Sequence, residues 1–501
     1  MSGAVTQRFR ESEYVTATEL LFAVLAGISG VAGSYAVAGY TRQFVVAPID
    51  AQVVRLTPGS IVAFFITNIG EEGHLLHIAL SAVLATGLLG GIALLGLRAA
   101  DRLEESTLGI VLAGILAWGV TAQITKSPGL AVGAAAPVLI FTALGAAPSV
   151  EGDHSPARRR VVASAVAFVG VSAGVGRLLS EEPSQSSETP ISDEVEGQLE
   201  QAESQELDIS GDVPGLVSSI GEFYNVDIAE FDPDVPSDDW SMTITGEVGE
   251  DVTVTYDELT SRETEHRYVT LRCVGESLNG EKLDNAVWTG TPIKPLLDEA
   301  DPEGECDCAM LRAEDDYFVQ FPVDALEDAF LAWEMNGRPL PQSHGHPVRV
   351  LVPGHWGETN VKWLSEIELL DEEMDGYWEQ RGWHGTGLVN TVAKFWSTTM
   401  LDSGNLELAG HTYAGTRGIE RVEVSTDGGS TWQDAELSEP LPGDDVWRQW
   451  RYGFEPTGSH DVVVRAVDGE GNLQPEDRSD SFPSGSTGWV RETVNMMDVS
   501  G

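Results

Sequence analysis

The sequence predicts three structural classes in tandem: a helical membrane region, an α+β domain and a C-terminal β-sandwich of immunoglobulin type. Three observations carry this. Apolar stretches at 18–39, 74–97, 107–124, 129–147 and 161–179 each approach the ~20 residues that a spanning helix needs. Residues 213–380 mix alternating strand patterns with short helical signals. Residues 397–497 carry short alternating strands at regular spacing, separated by turn signals.

Residues 1–180 are expected to form a membrane region of about five transmembrane helices. The apolar segment 44–69 is interrupted by Pro48, Asp50, Arg55 and Pro58-Gly59, and reads as interfacial or re-entrant. With five spans, Arg8, Arg10, Arg98, Arg102 and Arg158–Arg160 fall on one side, and Arg42, Arg55 and Lys126 on the other. The positive-inside rule then puts the N-terminus in the cytoplasm and residues 181–501 outside; a sixth full span at 44–69 would invert this. Arg158-Arg159 ahead of an apolar run also has the form of a twin-arginine export address, although an ordinary positive-inside anchor explains it equally.

Residues 181–212, rich in Ser, Glu, Gln and Asp, are expected to be an acidic disordered linker. The next domain is placed at 213–385. Strands are expected at Trp240–Gly246 and Tyr268–Cys273, a short helix at Ile293–Ala300, another at Asp324–Glu334, and a buried strand at Val348–Val352. The last domain is placed at 396–497. Its strand signals are Ile419–Ser425, Thr431-Trp432, Trp447–Tyr452 and His460–Val467, with Asp427-Gly428-Gly429 as a hairpin turn.

Charge is distributed unevenly. Residues 1–180 hold 11 basic and 11 acidic side chains, whereas 181–501 hold 18 and 68, which accounts for the whole net charge of −50. Such a surface repels nucleic acid and anionic lipid headgroups. It reads first as a halophilic acidic surface, since high salt screens its self-repulsion within a few ångströms; cation binding is the alternative. Three cysteines make no disulfide framework. Cys306 and Cys308 read as free loop thiols, with metal binding through both as the alternative.

The third cysteine is different. Cys273 closes the strand-like run Tyr-Val-Thr-Leu-Arg-Cys and opens the loop Val-Gly-Glu-Ser. Downstream come His344, Arg349 and Lys362, in a chain with only five lysines. A thiol on a strand end with a His/Arg/Lys set suggests a soft-metal ligand beside an anionic cofactor. Each residue alone has a plainer reading: a buried structural cysteine, a turn histidine, two surface charges.

Six motifs in fixed order narrow this. They are Leu-Arg-Cys-Val-Gly-Glu (271–276), Val-Trp-Thr-Gly-Thr-Pro-Ile (287–293), Ala-Trp-Glu-Met-Asn-Gly-Arg-Pro-Leu-Pro (332–341), His-Gly-His-Pro-Val-Arg (344–349), Val-Lys-Trp-Leu (361–364) and Gly-Tyr-Trp-Glu-Gln-Arg-Gly-Trp (376–383). Together they closely resemble the molybdopterin-binding domain of the sulfite oxidase family, so a sulfite-oxidase-type α+β domain is expected. Residues 422–432 and 447–450 resemble that family's dimerisation domain. The resemblance covers roughly 215–497, and the apolar stretches ahead resemble the membrane-anchored prokaryotic members. It implies a molybdenum cofactor of the molybdopterin type with Cys273 as metal ligand. By the same resemblance Asn225, His344, Arg349 and Lys362 contact the cofactor, and Trp288, Trp383 and Arg491 stand with Cys273 in the catalytic pocket. Gly345 would allow close backbone approach and Pro347 would stiffen the turn.

The implied reaction is oxygen-atom transfer on a small sulfur compound, either sulfite oxidation or, reversed, sulfoxide reduction; a catalytically silent membrane scaffold is a third reading. The implied partners are the substrate, a separate electron-transfer partner (cytochrome, cupredoxin or quinone), membrane lipid and a second copy in a homodimer, with no nucleic acid. No haem-binding domain is evident, although His74 and His77 open one apolar stretch. Where animal-type members place pocket arginines and a tyrosine, this chain has Leu278, Asn225 and Trp383, so a less cationic pocket is expected.

Overall fold

The computed structural model describes residues 15–59, 61, 64, 73–102, 106–147, 156–180, 190–228, 231–304 and 306–495. They divide into two compact units, one holding the N-terminal helices and one holding the sheets.

The helical unit contains α1 (Ala17–Ala38), α2 (Ala47–Leu56), α3 (Gly73–Arg102), α4 (Ser106–Thr125), α5 (Val132–Ala146) and α6 (Pro156–Ser180). A capping box starts α1: Glu19 N donates to Thr16 Oγ1 at 3.1 Å, and Thr16 N to Glu19 Oε2 at 2.7 Å. By length and composition α1, α3 and α4 could each cross a membrane, while α5 and the apolar part of α6 (Ala163–Arg177) are shorter. Small residues let the helices approach closely. A Cβ on Gly33 of α1 would lie 2.3 Å from the Gly133 carbonyl oxygen of α5, and one on Gly133 only 2.6 Å from the Gly33 oxygen. The interrupted segment 44–69 forms α2 in its first half. There Asp50 is buried and accepts from Ser81 Oγ at 2.8 Å, with His77 Nδ1 at 2.9 Å. Arg8, Arg10 and the His74 side chain lie outside the described residues, as do residues 181–189 of the expected linker.

The remainder of that linker is ordered, which corrects the expectation of disorder. Residues Asp193–Gln205 form α7, capped by Ser192, whose side chain accepts from Val195 N at 3.3 Å. Composition averaging hid an apolar stripe of Val195, Leu199 and Ala202 at helical spacing, which packs on Tyr268 and Leu216 in one core. Asp193, Glu194 and Glu196 occupy the first turn, where they complement the helix dipole. The chain then runs on across the sheets, with Leu207 N donating to Gln449 Oε1 and Ser210 N to Glu407 Oε1, both at 2.8 Å.

Two sheets make the α+β domain. The first joins β1 (Ser241–Gly246), β2 (Val252–Thr255), β5 (Cys308–Ala313), β6 (Phe318–Pro322) and β10 (Leu364–Leu369) in the order β2-β1-β10-β5-β6, with β1 and β10 parallel. The second joins β3 (Glu265–Arg272), β4 (Leu283–Pro292), β7 (Phe330–Met335) and β8 (Arg338–Pro339), and β9 (Arg349–Leu351) pairs with β7. Their shared core includes Met242, Ile244, Leu311, Phe321, Leu331, Val350 and Ile367. The helix expected at Asp324–Glu334 is instead a short helix, Val323–Glu327, followed by strand β7. A continuous apolar run reads alike for a buried strand and a buried helix, and pairing with β4 decides it. Cys306 and Cys308 are joined as a disulfide rather than free, their Cα atoms 5.2 Å apart. The intervening Asp307 takes a left-handed backbone conformation (φ 50°), and the tight turn brings the two thiols together.

The C-terminal domain is a sandwich of two four-stranded antiparallel sheets. One is β11 (Val392–Met400), β12 (Leu406–Tyr413), β16 (Arg448–Phe454) and β15 (Glu436–Leu437). The other is β14 (Gln433–Asp434), β13 (Ile419–Ser425), β17 (His460–Asp468) and β18 (Val490–Val494). Inward alternating residues such as Leu408, Val422, Val424, Val462 and Val464 fill the space between them around Trp450. Strand β11 begins ahead of the expected boundary at 396.

A glutamate-specific protease tests the packed strap. In the folded chain the bonds after Glu196, Glu200 and Glu203 should resist cleavage, and Val195→Asp should open them within the same digestion time. Cleavage of the wild type at these bonds as fast as in unfolded chain would refute the packing.

Candidate active site

Strand β3 delivers Cys273 to the base of a cleft. The strand is buried from Tyr268 onward and ends at Arg272. Cys273 N then donates to Lys282 O, and Glu276 N to Cys273 O, both at 3.0 Å, which folds 273–282 into a tight loop. The cleft encloses about 990 Å³, its mouth included, and Cys273, Tyr224, Lys282, Arg349, Lys362 and Trp383 are among its lining residues. Burial pushes the Cys273 thiol up, and Lys282 pulls it back toward the thiolate.

The loop is held from beneath by a buried ion cluster. Arg272 Nε meets Glu276 Oε2, and Lys394 Nζ of β11 meets Glu276 Oε1, both at 2.7 Å; all three side chains are almost wholly excluded from solvent. Burial alone would raise the Glu276 carboxyl, but Lys394 and Arg272 together hold it below the usual carboxylate range. Arg272 also donates to Asn390 O at 2.8 Å and to Ser486 Oγ at 3.3 Å. The C-terminal domain therefore supports the residue that precedes Cys273.

One end of the cleft is built for an anion. Arg349 opens β9 and is buried, donating to His344 O at 3.2 Å and Asn360 O at 3.0 Å. Its guanidinium lies 5.1 Å from the centre of the Trp288 ring. Burial lowers its pKa only to about 10, so it stays charged at neutral pH. Among the described residues no carboxylate lies within ion-pair distance of it, and its Nε has no partner. A buried cation in that state is costly unless an anion completes the site. His344 is buried beside it, with its pKa pushed down to about 3 by burial and by the Arg349 and Lys362 charges. The ring is thus neutral, and its Nδ1 also lacks a partner. Lys362 donates to Ser343 O at 2.7 Å and to Asn225 Oδ1, and pairs with Asp227 at 3.0 Å. Gly345 (φ 104°) lets the turn lie against Lys362, whose Cα would be 3.0 Å from an added Cβ.

The structure brings Cys273, Arg349, Lys362 and Trp383 to the cleft, with His344 standing behind Arg349 and Asn225 reaching the same corner through Lys362. It does not bring Trp288 or Arg491 to the cleft. Trp288 is fully buried in β4, with its indole donating to Val269 O at 3.1 Å, so it backs Arg349 instead of walling a substrate pocket. Arg491 lies exposed on β18, paired with Glu476 at 3.1 Å and donating to Gly428 O at 3.1 Å. Leu278, where a pocket arginine was sought, packs between two hydrophobic cores. Sequence reasoning missed Tyr224, Lys282, Asp315, Tyr317 and Glu358, all of which line the cleft. Lys282 had a signal, as one of five lysines and nine residues after Cys273; the acidic pair had none in so acidic a chain.

Among the described residues no group of three His, Cys, Asp or Glu side chains could hold a metal ion. Cys273 fits a metal that arrives with further sulfur ligands of its own, and Arg349 with its unpartnered Nε fits an anionic group on the same ligand. Comparison with known proteins agrees. Residues 229–378 match the family model of the oxidoreductase molybdopterin binding domain, and residues 390–495 that of the Mo-co oxidoreductase dimerisation domain. The mitochondrial sulfite oxidase of Rattus norvegicus is 28% identical over 298 residues, covering 49% of this chain and 55% of its own. The sulfite oxidase of Arabidopsis thaliana is 31% identical over 180 residues, 30% of this chain and 46% of its own. A nitrate reductase (NADH) of Spinacia oleracea is 25% identical over 314 residues, 49% of this chain and 34% of its own. The matches thus span about half or less of these relatives' lengths. The crystal structure of the sulfane dehydrogenase SoxCD from Paracoccus pantotrophus overlaps 56% of this chain and 82% of that chain, at 18% identity and a TM-score of 0.48.

The ion cluster makes a stability prediction. Lys394→Met should leave Glu276 under-compensated and cost about 3–5 kcal/mol. Glu276→Gln should cost a similar amount, and the double variant should cost less than the sum. Urea unfolding of the detergent-purified chain, followed by tryptophan fluorescence, measures this; strict additivity would rule out the coupling.

Proposed function

The chain belongs to the sulfite oxidase family of molybdopterin-dependent oxidoreductases, and from that premise we propose that it transfers an oxygen atom to or from a small sulfur compound, with sulfite oxidation as the principal reaction. The observation that carries the reading is the lone thiol of Cys273 at the base of a cleft whose far end holds a buried guanidinium without a counter-ion. Bound there, the molybdenum cofactor supplies the two-electron oxygen-atom chemistry. Cys273 would hold the metal as thiolate, which metal binding favours whatever the free thiol's pKa. Arg349 and His344 would hold the anionic and polar parts of the cofactor, with Lys362 and Asn225 at the same corner. Trp383 lines the cleft with its indole N–H buried and without a partner, so it would orient a substrate oxygen as a neutral donor.

A second reading, sulfoxide reduction, is favoured by the charge of the cleft. Asp227 and Asp315 offset much of the charge of Lys282 and Lys362 there, and an anionic group on the cofactor would take up Arg349, which suits a neutral substrate at least as well as a dianion. Either direction needs a separate electron-transfer partner, a cytochrome, cupredoxin or quinone. About five spans would anchor the enzyme in lipid with the sheets outside the cytoplasm, Arg158-Arg159 serving either as a twin-arginine address or as an ordinary positive-inside anchor, and the sandwich would mediate a homodimer. The acidic surface would keep it soluble and active in high salt.

Metal analysis of the purified chain should find about one molybdenum per chain. Cys273→Ser should abolish turnover with every substrate that the wild type accepts; full activity in that variant would sink the assignment. Assays with sulfite, methionine sulfoxide and nitrate, each with artificial electron partners, separate the substrate readings. Arg349→Ala should lower cofactor affinity roughly 10- to 100-fold, in line with the loss of a charge-assisted hydrogen bond. Pterin fluorescence after denaturation measures this, and undiminished pterin content would exclude Arg349 as a cofactor contact.

A further inference from the structure

Glu358 lies in the wall of the cleft, on the turn Gly357–Thr359. Its carboxyl meets that of Glu379, which opens the turn Glu379–Arg381. All four carboxyl oxygens are buried, and apart from the Gly385 backbone N–H, which is directed at Glu358, no donor among the described residues satisfies them. The Gly385 backbone closes over the pair, where an added Cβ would stand 2.6 Å from the Glu358 carboxyl. Two ionised carboxylates are acceptors only, so they cannot satisfy one another; a single proton between them supplies the missing donor. Burial, and then the Glu379 charge, hold the Glu358 carboxyl well above the ordinary range.

The surroundings of the pair favour that proton. Tyr317 donates its hydroxyl to the Glu358 backbone oxygen at 2.8 Å, and Asp315 and Tyr377 stand with it on the same side. Cys273 and Lys282 face the pair across the cleft. On the outer side, Glu379 lies in a segment whose residues Asp375 and Gln380 are exposed.

The reaction proposed above has a proton requirement in either direction. Oxidising a sulfur compound with an oxygen atom from water releases two protons and two electrons, and reducing a sulfoxide to sulfide and water consumes the same. The electrons pass to or from an external one-electron carrier, and the protons have to reach solvent either by the mouth of the cleft or through its wall. We propose that Glu358 and Glu379 share one proton and form the relay by which the cleft exchanges protons with solvent, Glu358 as the inner member and Glu379 as the outer. This rests on the oxygen-transfer reading and names how that reaction is kept in proton balance.

Two measurements on the full-length, detergent-purified chain decide it. At neutral pH the infrared difference between wild type and each of Glu358→Gln and Glu379→Gln should show a protonated-carboxyl band that shifts in D₂O and belongs to the pair, since any contribution of Asp445, raised to about 7, cancels in the difference. Each variant should also keep its molybdenum content and its substrate KM, while kcat falls about 100-fold and the H₂O/D₂O rate ratio rises. Glu379→Asp should recover most of the rate. Absence of the band, as a pair holding a metal cation would give, overturns the proposal, and so does an unchanged kcat in Glu358→Gln. If the wild type turned over neither sulfite nor any sulfoxide, the functional reading would fail, and the infrared band alone would decide whether the pair shares a proton.

Discussion

Glu276 is a carboxylate sealed from water between Arg272 and Lys394, and the geometry of the cleft hangs on that arrangement. Burying three charges is expensive, and the cost is met only while all of them remain in contact. Arg272 precedes Cys273, and Glu276 accepts from Lys282 N at 3.1 Å, so the cluster pins both ends of the loop that presents the thiol. Lys394 belongs to a different domain, yet it also donates to the Gly280 carbonyl within that loop. The loop that presents Cys273 is thus shaped by a strand of the sandwich as much as by its own sheet.

Two opposite electrostatic solutions share the cleft. At one end a guanidinium is buried beside a neutral imidazole, with hydrogen-bonding positions left open, which is tolerable if an anionic ligand completes them. At the side, carboxyls are pressed together, which is tolerable if a proton is retained. Neither arrangement would persist in a merely structural core, where apolar residues of the same volume would pack at lower cost. Their presence argues that the cleft is organised for chemistry.

Much of this was legible in the sequence where motif and position coincide. Cys273, Arg349 and Lys362 sit at strand ends or beside them, and their order along the chain was enough to group them. Trp288 was not decidable, because β4 is buried along nearly its whole length and offers no exposed face to reveal which side holds the cleft. Arg491 follows Trp489 in sequence, but the partner strand β17 turns it outward toward Glu476. The strap 190–228 was misread because averaged composition conceals three apolar positions spaced four and three apart. Glu358 was invisible for a different reason. In a chain with 79 acidic side chains, what sets Glu358 apart is its burial beside a second carboxyl, and sequence alone carries no signal of that.

The strap and the ion cluster bear on how freely the parts of this chain could be exchanged. Its two sheet-built domains look like separable modules, with a natural cut between Trp383 and Val392. Yet Trp447 of the sandwich donates to Leu216 O of the strap at 2.8 Å, and Lys394 neutralises a loop on the far side of that cut. A chimera joined there would inherit a charged hole under Cys273 and an uncovered groove beside it. Recombination within the family is constrained accordingly: strap, loop and first sandwich strand have to change hands together.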